Sequence, residues 1–141
     1  MKVRVLCVGK VKDASIKEAV SEYVKRLNVR RVEFVEVPDS NPDAEGKKII
    51  ANIKDSEFVV ALSENGEDTS STQLAEFMEK APQDVCFIIG GPDGLSREVL
   101  DRADKKLSLS RMTFTHEMAR LILVEQIYRA FMINGGRQYH R

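Results

Sequence analysis

Short apolar runs alternate with stretches of helical periodicity along the whole chain, and this alternation limits the fold more than any other feature. Strands are expected at Val3–Gly9, Arg31–Val37, Glu57–Leu62 and Asp84–Ile89, with a last short one in Lys106–Phe114. Helices are expected from Ala14 to Leu27, from Asn41-Pro42 to Lys54, from a cap at Thr69 or Ser71 to Lys80, from Ser96 to Asp104, and from Glu117 to Ile133. Glu64-Asn65-Gly66-Glu67 reads as a turn. Strands joined through helices run mostly in one direction, so the fold class is α/β: a mainly parallel sheet with helices on both faces.

At 141 residues the chain is expected to form one domain over 1–141, with no room for a separate substrate-binding unit. Lys plus Arg and Asp plus Glu both total 22, which excludes a global field that would recruit nucleic acid or an anionic membrane. The balance is uneven, however. From Arg111 onward five arginines face two glutamates, which leaves +3 there and −3 on the rest, so an anionic partner is expected to meet the C-terminal end. Cys7 and Cys86 lie inside apolar strands and are expected to be free thiols packed as small hydrophobes. Two histidines, His116 and His140, are too few for a structural zinc site, and no metal is expected. The first apolar run is short and charge-flanked and the longest is interrupted by Glu and Arg, so neither a secretory signal nor a membrane span is expected, and a cytoplasmic location is.

Three segments stand out as chemistry-bearing. Ile88-Ile89-Gly90-Gly91-Pro92-Asp93-Gly94-Leu95-Ser96 is a strand that breaks into a glycine turn before a helix, at the sheet edge where ligands bind. Its spacing is neither G-x-G-x-x-G nor a phosphate loop ending in Gly-Lys-Ser/Thr, and a tight strand-to-helix turn would read the same way. In Leu107–His116 hydroxyl residues alternate with apolar ones, as on a strand that packs one face and offers polar groups on the other. The last helix, Glu117–Ile133, is apolar nearly all round, from Met118 through Leu121, Ile122, Ile127 and Phe131, and must be covered on more than one side. In so small a domain a second subunit is the simplest cover.

These segments carry a family likeness. Ile89-Gly90-Gly91-Pro92-Asp93-Gly94-Leu95-Ser96, then Leu107-Ser108-Leu109-Ser110, Met112-Thr113, His116, Ala119-Arg120-Leu121, Glu125-Gln126-Ile127-Tyr128-Arg129-Ala130 and Tyr139-His140-Arg141 resemble the RlmH family across essentially the whole chain. These are large-subunit ribosomal RNA pseudouridine methyltransferases of the SPOUT superfamily. The resemblance implies a C-terminal trefoil knot, a homodimer and S-adenosylmethionine bound at the knot. The general rule that chains do not thread loops would not have suggested a knot. Carried over position by position, the cofactor contacts fall on Leu62, Gly91, Ser110, Arg111, Met112, Thr113, Phe114 and Thr115. The chain departs from the family at Phe114-Thr115-His116-Glu117, where members commonly have Leu-Pro-His, and it is shorter around Asn28.

The reaction this implies moves a methyl group to ring nitrogen 3 of a pseudouridine in large-subunit (23S) rRNA, on the assembled ribosome. The nitrogen carries a proton that must leave. His116 and His140 are the side chains whose ordinary pKa lies near neutrality, and His116 could equally cap the last helix. Arg120, Arg129 and Arg141 are candidates for phosphate or a developing oxyanion, against the simpler reading of salt bridges to Glu117 or Glu125 for the first two. For the RNA itself the candidates are Arg120, Arg129, Arg137, Tyr139, His140 and Arg141, the tail residues offering stacking surfaces and phosphate contacts rather than a frayed end. Two other classes fit less well. A Rossmann-like nucleotide-binding enzyme needs a glycine fingerprint after the first strand, where Val8-Gly9-Lys10-Val11 has one glycine. A non-catalytic RNA-binding assembly factor with the same fold would not need the pocket.

Overall fold

A computed structural model describes residues 1–27 and 32–139. Five strands, β1 (Val3–Val8), β2 (Val32–Val37), β3 (Phe58–Asp68), β4 (Val85–Ile89) and β5 (Lys105–Ser108), form one sheet in the order β2-β1-β4-β3-β5. All neighbours pair in parallel, Val3 opposite both Val32 and Val85, and Phe58 opposite Val85. The helices are α1 (Ala14–Arg26), α2 (Pro42–Asn52), α3 (Ser71–Lys80), α4 (Arg97–Arg102) and α5 (His116–Asn134).

The central strands are apolar at nearly every position because both sheet faces are covered. Val3, Val5, Cys7, Phe87 and Ile89 turn to one core, shared with α1, α3 and α5, while Leu6, Val8, Cys86 and Ile88 turn to the other, shared with α2 and α4. Helix α5 buries Leu123, Val124, Ile127 and Ala130 against the first core and is flanked by α1 and α3. Arg120 is buried as well, Met118 is exposed, and the rest of its surface, Ile122 and Met132 included, is half-buried. A paired turn ends it: Gly136 (φ +69°) donates to the Ile133 carbonyl and Arg137 to the Met132 carbonyl, the Schellman arrangement.

Four sequence expectations are corrected. The region expected to turn at Glu64–Glu67 belongs to β3, which leaves its ladder with β5 after Leu62 and rejoins it at Glu67. Gly66 permits the return, since a Cβ there would stand 2.7 Å from the Leu107 carbonyl carbon. Conversely, β5 stops at Ser108 instead of running to Phe114. The hydroxyls end it: Ser108 Oγ donates to the Ser110 carbonyl and Ser110 Oγ accepts from Met112 N, local bonds that replace a ladder. The cap of α3 is Ser70, in a reciprocal box with Gln73, and the cap of α5 is Thr115, so His116 is the first helical residue and not the cap. The other helices begin where expected, α4 with the Ser96 side chain accepting from Val99 N.

From β1 the chain passes through α1 to β2 on one side of the sheet, and from β4 through α4 to β5 on the other. The connections therefore diverge between β1 and β4, and a crevice opens at their carboxyl ends.

Candidate active site

At that divergence lies a cleft of about 1180 Å³. Four loop systems build it: the start of α1 (Asp13, Ile16), the β3 excursion (Leu62 to Asn65), the glycine turn (Ile89 to Gly94) and the segment from Leu109 into α5 as far as Ala119. The glycine turn closes on itself through Gly94 N donating to the Gly91 carbonyl, with Gly94 at φ +81°. A side chain on Gly91 would face away from the cleft, its Cβ 3.2 Å from Val8 Cγ1 and 3.6 Å from Glu45 Oε1. The turn therefore presents backbone to the cleft for a packing reason, beyond leaving room for a ligand.

Of the residues expected to hold a cofactor, Leu62, Gly91, Ser110, Met112, Thr113, Phe114 and Thr115 all line this cleft. Arg111 does not. It donates from Nη1 to the Glu64 carbonyl (2.6 Å) and pairs through Nε with Asp68 (3.1 Å), tying the post-β5 segment to the β3 excursion from behind. The large hydrophobic side chains that remain exposed among the described residues are Met1, Met112, Phe114 and Met118, and the last three line the cleft. Met112 is 74% exposed. Apolar surface left to water is unremarkable singly, but three such side chains converging on one concavity beside free backbone groups make this cleft the candidate binding surface.

His116 lines the cleft, with Nε2 3.9 Å from where a Cβ on Gly9 would stand. Gly9 (φ +79°) turns left-handed at the end of β1, a conformation that favours glycine, and three elements meet on it. Its N–H donates to the Val37 carbonyl of β2 (2.7 Å), and its carbonyl accepts from Arg120 Nη2 (2.9 Å). Arg120 is 6% exposed and donates from Nη1 to Glu36 Oε2 (2.7 Å), so its carboxylate partner is on β2 and neither Glu117 nor Glu125. Its Nε is buried without a hydrogen-bond partner. Arg120 is thus spoken for inside the protein, under the cleft floor.

Arg129 pairs with Glu125 on the same helix at 2.6 Å and covers the Tyr139 ring at 4.9 Å. Tyr139 sits edge-on to Tyr128, donates to Glu125 and shares a bond with the Tyr23 hydroxyl. The Tyr23 bond, partial burial and the Glu125 charge all hold the Tyr139 phenol in its neutral form. In this chain Tyr139 therefore packs on α1 and α5 and lies outside the cleft lining. Arg137 is exposed. His140, Arg141 and the stretch around Asn28 fall outside the described residues.

Both cysteines are free and buried. Burial pushes the Cys7 thiol up to about 11 and the Cys86 thiol up to about 12, which keeps both protonated and removes them as nucleophiles. No group of His, Cys, Asp or Glu among the described residues could hold a metal ion, and no helix among them is long and apolar enough to cross a membrane.

Sequence reasoning missed Asp13, Ile16, Ser63, Glu64, Asn65, Glu117 and Met118 as cleft residues. Asp13 and Ile16 follow the carboxyl end of β1, and the edge rule could have found them. Glu64 and Asn65 were hidden inside an apparent turn, and Ser63 lay between it and the expected strand end at Leu62.

Residues 1–140 match the family described as "Predicted SPOUT methyltransferase". Over the full length of both chains, the protein is 43% identical to the ribosomal RNA large subunit methyltransferase H of Clostridioides difficile (strain 630) and 44% identical to that of Desulfotalea psychrophila (strain LSv54 / DSM 12343). It superposes with a TM-score of 0.60 and 16% identity on "a probable methylase family protein from Haemophilus influenzae Rd KW20", covering 95% of this chain and 66% of that one, which supports the fold alone. A whole-length family match, with relatives above 40% identity and a cleft at the edge this fold uses for ligands, places the chain in the SPOUT methyltransferase family, among the ribosomal RNA large subunit methyltransferase H proteins.

Proposed function

We propose that the chain, acting as one domain over 1–141, transfers a methyl group from S-adenosylmethionine to ring nitrogen 3 of a pseudouridine in large-subunit (23S) ribosomal RNA, on the assembled ribosome. The observation that carries the reading is the convergence of exposed Met112, Phe114 and Met118 on a cleft floored by a glycine turn, in a chain whose full-length relatives bear the name ribosomal RNA large subunit methyltransferase H. S-adenosylmethionine supplies an electrophilic methyl group, and the chain supplies alignment and shielding. Leu62, Met112 and Phe114 provide apolar walls, and Gly91, Ser110, Thr113 and Thr115 provide backbone and hydroxyl groups for the polar parts. Arg111 holds the two walls together from outside.

His116, in the cleft at the first turn of α5, takes the proton that leaves the target nitrogen as the methyl group arrives. Arg137, His140 and Arg141 are the tail residues assigned to RNA contact, the first of them exposed. We assign Arg120 and Arg129 to holding the loop and the tail, because both guanidiniums already have carboxylate partners. The reading includes a homodimer through the half-buried outer side of α5, where Ile122 and Met132 lack full cover, and the trefoil knot that the resemblance implies around the entry to α5. The protein works in the cytoplasm, where ribosomes are.

The test is transfer of tritiated methyl from S-adenosylmethionine to purified large subunits and to 70S ribosomes, followed by mapping of the modified base. Stoichiometric label on one pseudouridine supports the reading. Ribosome binding without transfer would favour the assembly factor.

A further inference from the structure

We propose that the loop between β1 and α1, Gly9 to Asp13, is the phosphate grip of the site: Lys10 and Lys12 contact the RNA backbone at the rim of the cleft. The inference rests on the ribosomal RNA reading above and adds to it the residues that meet the polyanion.

Few cations near the cleft remain available to a phosphate. Sequence alone placed the positive surplus at the C-terminal end, yet Arg111 pairs with Asp68, Arg120 with Glu36 and Arg129 with Glu125. An arginine already neutralised by a carboxylate contributes little net attraction for a phosphate. The loops at the carboxyl edge carry three cations among the described residues, Lys10, Lys12 and Arg111, and only Arg111 has a carboxylate partner. Lys10 and Lys12 are both exposed, with half-buried Val11 between them.

The loop is also held in place. Gly9 is fastened to β2 through Val37 and to α5 through Arg120. At its other end one carboxylate oxygen of Glu117 accepts from both Lys12 N (2.9 Å) and Asp13 N (3.0 Å), while the Asp13 side chain caps α1 by accepting from Ser15 N and Ile16 N. Asp13 and Glu117 line the cleft, and His116 Nε2 reaches to within 3.9 Å of the Cβ position on Gly9. Two unpaired lysines thus stand on a backbone tied to the same helix turn that carries His116. A phosphate gripped there is positioned relative to the cleft at little cost in loop ordering. Lysine suits the task, because a compact ammonium donates to phosphate oxygens from many directions and imposes no base preference. A chain without global positive charge holds RNA through local contacts, and these lysines add to the one proposed for exposed Arg137.

The test compares the wild-type chain with the double variant Lys10→Gln plus Lys12→Gln and the conservative pair Lys10→Arg plus Lys12→Arg. Binding to purified 70S ribosomes is followed over a salt series, and S-adenosylmethionine affinity is measured by calorimetry on the same preparations. For the glutamine pair the expected result is a dissociation constant for the ribosomes raised about ten- to hundredfold, a salt slope flatter by about 2, and unchanged cofactor affinity. The arginine pair should keep the wild-type slope. An unaltered slope and affinity in the glutamine variant overturns the proposal. Failure of the methyltransferase reading looks different: the wild-type chain then takes up no S-adenosylmethionine, while the salt slopes still decide the role of the lysines.

Discussion

Two buried arginines hold opposite ends of β1, and their chemistry is nearly the same. Arg4, 6% exposed, donates to Glu57 (2.8 Å) and to the Asn52 carbonyl at the amino edge. Arg120, also 6% exposed, donates to Glu36 (2.7 Å) and to the Gly9 carbonyl at the carboxyl edge. Each keeps a buried Nε without a hydrogen-bond partner, and each pair sits beside one buried thiol, Cys86 near Arg4 and Cys7 near Arg120. The difference is what each arginine holds. Arg4 ties helix α2 and the start of β3 to the sheet, far from the cleft lining, whereas Arg120 ties down the loop on which His116 and two free lysines depend. A buried ion pair adds little to stability by itself, so its consequence depends on which edge of the sheet it secures.

The largest effect is expected at the amino edge. Glu57→Ala leaves Arg4 with the Asn52 carbonyl and a longer contact to the half-exposed Glu33 carboxylate (3.7 Å), and should lower unfolding stability by about 3 kcal/mol in urea titrations. S-adenosylmethionine affinity, measured on the remaining folded protein, should not change. A change there would erase the functional contrast between the edges.

The thiols report on both pairs through pH. Above 9.0, the ordinary value, unfolded cysteines lose their protons, while the folded chain keeps them on Cys7 to about 11 and on Cys86 to about 12. The unfolded state then binds fewer protons, so stability falls as pH rises through that window, by about 1.4 kcal/mol per unit for each thiol. Urea midpoints compared at about pH 8 and about pH 10 check the slope, most of which Cys7→Ala plus Cys86→Ala should remove, the rest belonging to Tyr139, whose phenol is also held neutral in the folded chain.

At the carboxyl edge, Glu36→Ala leaves Arg120 only the Gly9 carbonyl. With the Glu36 side chain 40% exposed, the stability cost is smaller, about 1–2 kcal/mol. The distinguishing result is functional: hydrogen exchange of the Gly9 to Asp13 amides should quicken, and methyl transfer should fall about tenfold. Glu57→Ala should do neither. Gly91→Ala is the mildest change. Its Cβ would press on Val8 at 3.2 Å and cost about 1 kcal/mol, while cofactor affinity falls less than tenfold because the methyl group faces away from the cleft. A complete loss of binding would mean that the ligand occupies the far side of the turn.

Much of the fold was legible because local and global signals agree. The apolar runs of β1 and β4, the caps at Asn41 and Ser96 and the glycines after α5 each mark an element that the structure contains. The misreadings fall where tertiary contact overrides local pattern. Glu64 to Glu67 carry turn chemistry, yet Gly66 is drawn against Leu107, and the alternating Leu109–Phe114 would suit a strand but for the serines that bond locally. Seven of the eight positions expected to contact a cofactor line the cleft, and family likeness supplied them, since periodicity marks a strand without marking a pocket. The arginines were the hardest to read. Their partners Glu36 and Asp68 lie 84 and 43 positions away along the chain, distances at which sequence gives no pairing signal.

The central claim, that the carboxyl-edge cleft holds S-adenosylmethionine, is tested most directly by calorimetric titration of the wild-type chain and of Met112→Asp with this compound. Met112 is 74% exposed, so the substitution should leave folding intact while removing an apolar wall worth about 1.5–3 kcal/mol when covered. Saturable binding to the wild-type chain, weakened about ten- to hundredfold in the variant, is the expected result. No binding to the wild-type chain, or equal affinity in the two proteins, would contradict it.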